Sequence, residues 1–153
     1  MTKYILSIDQ STQGTKALLF DDRGALKCRA DLPHRQIINE KGWVEHDPEE
    51  IMRNTVQVAK NVVAKAGIDK NDLAALGISN QRETSVAWDR ATGKPVYNAI
   101  VWQCARGAAI CEGLEQQGYA DVVRRTTGLN LSPYFPAAKL AWIMQNVDRK
   151  SVM

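Results

Sequence analysis

The chain has 153 residues, of which 44% are hydrophobic and 24% charged, with a formal net charge of +3. That is about one globular domain's worth of ordinary composition, long enough to bury a core. The charge is too weak and its basic residues too scattered for a nucleic-acid surface, and no stretch approaches the ~20 apolar residues of a membrane span.

In chain order, Tyr4–Ile8 reads as a buried strand and Ala17–Phe20 as a second. Between them lies the polar turn Asp9-Gln10-Ser11-Thr12-Gln13-Gly14-Thr15-Lys16. Its backbone N–H groups, hydroxyls and Lys16 suit an anion, whereas Asp9 suits a hard cation such as Mg²⁺ beside that anion. A solvated hairpin turn is the alternative, since Gly, Ser and Thr favour turns on backbone grounds alone. Asp21-Asp22-Arg23-Gly24 is a tight turn and residues 25–32 alternate, so residues 3–32 are expected to form an antiparallel meander closed by Pro33. Residues 34–45 read as loop or edge, with Trp43 the one bulky apolar residue and with His34 and the following His46 structural or solvent-facing.

Asp47-Pro48-Glu49-Glu50 starts a helix, with Asp47 as cap, Pro48 in the first turn and Glu50 completing a capping box. Ile51, Met52, Thr55, Val58, Ala59, Val62 and Val63 form its core face, and Gly67 ends it. Residues 73–79 read as a buried strand, and a strand reached through a helix pairs in parallel. The result is an α/β fold with a mixed sheet and helices on its faces.

The segment Asn80-Gln81-Arg82-Glu83 follows that strand at the end where such sheets hold their ligands. Strands are expected over 84–88 and 96–102, the latter closing on Trp102-Gln103. An Arg fork and a carboxylate side by side can grip neighbouring hydroxyls of a polyol, and a Trp can pack its C–H face. The alternative is a surface ion pair and a core Trp. Helices are expected over 105–117 and 119–125. A loop at 127–135 brings Tyr134 and Phe135 together, and a last helix from Pro136 carries Ala137, Leu140, Ala141, Met144 and Val147 on one face. The three cysteines, Cys28, Cys104 and Cys111, lack metal-ligand spacing, and Cys104 and Cys111 on one helix would stand roughly 10 Å apart, too far for a bridge. With a strand pattern starting almost at once and no leader pattern, the expected setting is reducing and cytoplasmic.

The segments Ile8–Thr12, Gly42–Pro48, Gly77–Thr84, Thr92–Gln103 and Pro133–Phe135 together resemble the FGGY family of carbohydrate kinases, in register along essentially the whole chain. The resemblance implies an actin-like (ribonuclease H-like) ATPase fold and transfer of the ATP γ-phosphoryl group to a polyol or sugar hydroxyl, glycerol foremost, with Mg²⁺. It implies that Arg82, Glu83, Trp102 and Tyr134 contact the polyol. Asp9, Thr12, Gln13, Gly14 and Lys16 would surround metal and phosphates, with Asp9 on the Mg²⁺ side, directly or through water. It also implies that residues 1–153 are an N-terminal domain, with the general-base Asp and a second domain beyond Met153. That second domain would be a partner, and self-association of a separated part is a further expectation. Members acting on glycerol usually read Asp-Gln-Gly-Thr-Thr-Ser with a later Arg, where this chain has Ser11, Gln13 and Lys16; those three look more like members acting on xylulose. Ala105 stands where an Arg is common. Another ketose or polyol, or a non-catalytic actin-like binding module, are the competing readings.

Overall fold

The computed structural model describes residues 3–147, which divide into two units. One comprises the segments up to Gln36 and from Asp47 to Gln81. The other comprises Ile37–His46 and the chain from Arg82 onward.

The first unit is a four-stranded sheet with one long helix on it. Strands β1 (Tyr4–Gln10), β2 (Gly14–Phe20) and β3 (Leu26–Pro33) form the expected meander. Helix α1 (Pro48–Ala66) leads to β6 (Leu73–Asn80), which pairs in parallel with β1, giving the order β3-β2-β1-β6. Leu6, Ile8, Ala17 and Leu19 share one face and close a core with Val58 and Val62 of α1. Period-two alternation on β1 and β2 meets period-3.6 spacing on α1, so each element buries one stripe.

Three expectations are corrected in this unit. Asp47 caps α1 by accepting from the Glu49 N–H, but Glu50 does not complete a capping box: its carboxylate accepts the Arg35 N–H at 3.0 Å. Met52 is exposed, so the core face of α1 is narrower than its apolar residues suggest. Strand β6 is not buried. Leu76 and Ile78 are paired with Leu6 and Ile8 and continue their face, yet are 54% and 60% exposed. The helix packs mainly on β1 to β3; Leu73 at the start of β6 joins their core, and the rest of that strand is exposed.

The second unit holds the short sheet β4 (Ile37–Ile38), β5 (Val44–His46) and β7 (Ala99–Ile100), all antiparallel. The expected strands over 84–88 and 96–102 reduce to β7 and to single bridges, Ser85 with Ile100 and Trp88 with Pro95. A 3-10 turn (Ala105–Gly107) leads into α2 (Ala108–Gln116), followed by α3 (Ala120–Thr127) and α4 (Pro136–Asn146). Val44, Ile100, Val101, Cys104 and Ile143 form its core. The buried residues of α4 are Ala138, Lys139 and Ile143, whereas Leu140 and Met144 of the expected face are exposed. His34 in the first unit and His46 in the second are both buried, which is the structural reading and not the solvent-facing one. The three cysteines are free thiols. Among the described residues, no helix is long and apolar enough to cross a membrane.

Candidate functional site

In the first unit, the polar turn closes tightly. The Ser11 N–H and its hydroxyl both donate to the Gly14 carbonyl at 2.9 Å, so β2 begins directly at Gly14. A Cβ on Gly14 would stand 2.5 Å from the Leu32 carbonyl oxygen, so glycine is required there by the close approach of β3. Asp9 and Lys16 are cross-strand partners, their carboxylate and ammonium 3.3 Å apart and both partly exposed. Gln13, Gly14 and Lys16 line a cavity of about 280 Å³ with Ser11, Thr15, Asp31, Leu32 and Pro33; Asp9 and Thr12 are not among its lining.

Behind this turn stands His34, which the spacing of residues did not single out. Its backbone N–H donates to the Gln13 carbonyl at 2.9 Å. The Asn54 amide donates to the Pro33 carbonyl and faces His34 Nδ1 at 3.1 Å, while Thr15 Oγ1 lies 3.0 Å from His34 Nε2. The Gln10 amide nitrogen also faces Nε2, at 3.3 Å. Amide nitrogens thus stand at both ring nitrogens, and an amide N–H can donate only to an unprotonated one, which suits a neutral imidazole. Burial pushes the imidazole pKa down, opposed by the Glu50 carboxylate.

In the second unit, Arg82 and Glu83 form a turn in which Glu83 has φ 63°, the left-handed region that a residue with a Cβ enters at a cost. Arg82 is exposed and Glu83 half-buried. Thr84 Oγ1 accepts the Trp102 N–H at 3.2 Å, and Ser85 exchanges two backbone hydrogen bonds of 2.9 Å with Ile100. The turn is thereby tied to the end of β7. The Trp102 and Tyr134 rings meet edge to face at 5.9 Å, and Tyr134 meets Phe135 the same way at 5.2 Å. Glu83 also borders an apolar cavity of about 510 Å³ between α2, α3 and α4, which Arg82, Trp102 and Tyr134 do not line.

Two further features of this unit escaped the sequence reading. Lys139 is fully buried, and its ammonium donates to the carbonyl oxygens of Pro133, Tyr134 and Phe135. Burial pushes its pKa down, against the pull of Cys104, Glu83 and Cys111. The signal was Trp142 and Ile143 three and four residues on, which put Lys139 on an apolar helix face. The second is Arg106, whose guanidinium stacks on Trp43 at 4.7 Å and Trp142 at 4.6 Å and contacts Glu45 at 2.6 Å. Tyr97 and Asn98 donate to the same carboxylate at 2.8 and 2.7 Å. This cluster explains why Trp43 and Glu45 stand together in one segment: they enclose the arginine that follows Trp102.

A model of the FGGY family of carbohydrate kinases, N-terminal domain, matches residues 4–152. Glycerol kinase 1 of Thermotoga maritima is 49% identical over 145 residues, 95% of this chain and 30% of that protein. The glycerol kinase of Marinomonas sp. is 49% identical over 148 residues, 97% of this chain and 30% of that protein. Among solved structures, Plasmodium falciparum glycerol kinase with ADP matches with a TM-score of 0.86 at 37% identity, over 95% of this chain and 29% of that one. The ligand-bound xylulose kinase from Lactobacillus acidophilus matches with a TM-score of 0.84 at 26% identity, over 94% and 29%. The chain spans about 30% of the length of the curated relatives it matches.

Proposed function

The chain belongs to the FGGY family of carbohydrate kinases, and from that premise we propose that it is the N-terminal, substrate-binding part of an enzyme that phosphorylates glycerol to glycerol 3-phosphate with ATP. Its mixed sheet with an antiparallel meander is the actin-like ATPase fold of its structural neighbours. The observation that carries the reading is the Trp102–Tyr134 pair beside the Glu83 turn. Two aromatic faces and an adjacent carboxylate fit a small C–H backbone bearing hydroxyls. Glu83 and Arg82 would hold the hydroxyls, with Trp102 and Tyr134 against the carbon chain.

The turn at residues 9–16 would hold the nucleotide phosphates, through Thr12, Gln13, Gly14 and Lys16. Among the described residues, no three His, Cys, Asp or Glu side chains gather as a metal cage. A lone, partly exposed Asp9 carboxylate fits Mg²⁺, which keeps most of its shell as water and phosphate oxygen. When bound, that ion neutralises phosphate charge during transfer. Lys16, already facing Asp9, would add a point charge to the same phosphates, and a second domain would complete the machinery and be the chain's partner in a cytoplasmic enzyme. A ketose such as xylulose is the second reading, favoured by Ser11, Gln13 and Lys16.

The test is coupled ADP release by the full polypeptide carrying this sequence, with glycerol, xylulose, ribulose and erythritol. Turnover with glycerol is expected, and none from residues 1–153 alone. Preferential turnover of a ketose would overturn the glycerol reading, and no turnover of any would overturn the kinase reading.

A further inference from the structure

Lys139 has no solvent exposure, an uncommon place for an ammonium unless all its donors are met. They are met, and by one short segment. Nζ donates to the carbonyl oxygens of Pro133 at 2.7 Å, Tyr134, and Phe135 at 3.3 Å. Three donors thus face three consecutive acceptors, the whole inventory of a lysine ammonium. Among the described residues, no carboxylate hydrogen-bonds it; Glu83 acts on it through its field. A core position needing bulk alone would take Met or Leu without the desolvation cost. What the charge adds is a fixed point round which the 133–135 backbone must bend. That segment is held again by Ser132, whose hydroxyl accepts the Tyr134 N–H at 3.2 Å and whose carbonyl accepts the Phe135 N–H at 3.3 Å. Its middle residue carries the ring that stands 5.9 Å from Trp102 and 6.0 Å from Nζ itself.

We propose that Lys139 is a positioning residue for the substrate. Its ammonium holds the 133–135 backbone so that the Tyr134 ring meets a polyol against Trp102. The inference rests on the polyol reading above, and it assigns Lys139 no contact with substrate.

The experiment is a double-mutant cycle in the full polypeptide carrying this sequence, with glycerol and xylulose affinities measured by calorimetry for Lys139→Met, Tyr134→Ala and the double variant. Because Lys139 acts through Tyr134, each single change is expected to weaken binding of the preferred substrate about tenfold. The double should be no weaker than the weaker single, with nucleotide affinity unchanged. A purely structural role would instead give multiplied losses, about hundredfold in the double, and would overturn the inference, as would wild-type affinity in Lys139→Met. Should Lys139→Met fail to fold, the ¹³C resonance of the Lys139 ε-methylene in the unmutated protein decides. It is expected to shift on saturation with substrate and to lose that response in Tyr134→Ala, and a resonance indifferent to substrate overturns the role. If the unmutated protein binds neither substrate, the polyol reading falls and takes this inference with it. Multiplied losses in a protein that binds substrate normally sink the Lys139 role alone.

Discussion

Arg106 Nη2 stands 2.6 Å from Glu45 Oε1, with the arginine side chain wholly enclosed. The angle makes this an ion contact and not a directed hydrogen bond at that nitrogen, while Nε donates to Cys104 Sγ at 3.2 Å. Removing one charge leaves the other buried and unpaired, so Glu45→Gln should cost about 3–5 kcal/mol in urea unfolding. A loss under ~1 kcal/mol would mean the aromatic walls alone carry the arginine. Burial works to raise the Glu45 carboxyl, but the Asn98 hydrogen bond, the Arg106 guanidinium and the Tyr97 hydrogen bond outweigh it and hold the pKa below the ordinary 4.5. The stability this contributes is full above the unfolded value and is lost as pH falls through the lowered native one. Glu45→Gln should therefore flatten the acid limb of the stability curve.

His34 gives the first unit its own acid sensitivity, in a milder pH range. The amide nitrogens of Asn54 and Gln10 face its two ring nitrogens, which suits the neutral ring, and burial lowers its pKa from the ordinary 6.5. A depressed native pKa contributes stability that is present above the unfolded value and lost as pH falls through the native one. An NMR titration of the His34 ring should show a midpoint below 6.5, with the Gln13–Thr15 amides shifting in step. A midpoint above that value would mean that the turn stabilises the imidazolium, with both ring nitrogens donating.

The uncovered stripe of Leu76 and Ile78 extends a core face past the edge of α1. Exposed apolar residues on an unpaired edge strand invite pairing with another chain. Residues 1–153 expressed alone should therefore self-associate, and Ile78→Lys should shift them towards monomer in light scattering. Concentration-independent monomer in the unmutated chain would reject this.

The meander and α1 were legible because their signals are local. Alternation on β1 and β2, Pro48 in the first helical turn and Gly67 at the end need no partner to be read. The errors came from partners that a local pattern does not name. Residues 84–88 and 96–102 have strand composition, but composition does not say that only Ser85 and Ile100 find each other. Glu50 has the spacing of a capping box, yet the Arg35 N–H claims it. Lys139 shares a helix face with Trp142 and Ile143, but a lysine defaults to the solvent side while its acceptors, in an aperiodic loop, go unread. Within the candidate site, the structure sets the Trp102 and Tyr134 rings edge to face, whereas the strained backbone of Glu83 has no counterpart in spacing.

That strain separates stability from function at a single position. Glu83 holds φ 63° in a turn where glycine would sit without penalty. Left-handed backbone costs a residue with a Cβ of the order of 1 kcal/mol, so Glu83→Gly should raise stability by about that amount. The same change removes the carboxylate proposed to accept polyol hydroxyls, a charged acceptor worth about 1.5 kcal/mol or more, so glycerol binding should weaken by about tenfold or more. Unfolding midpoints and glycerol titrations on one preparation test both arms. A more stable protein that binds poorly is the signature of a residue kept in an unfavourable conformation for its side chain's task. If stability falls instead, the Glu83 side chain is itself part of the packing, and its left-handed backbone is an incidental cost of that packing.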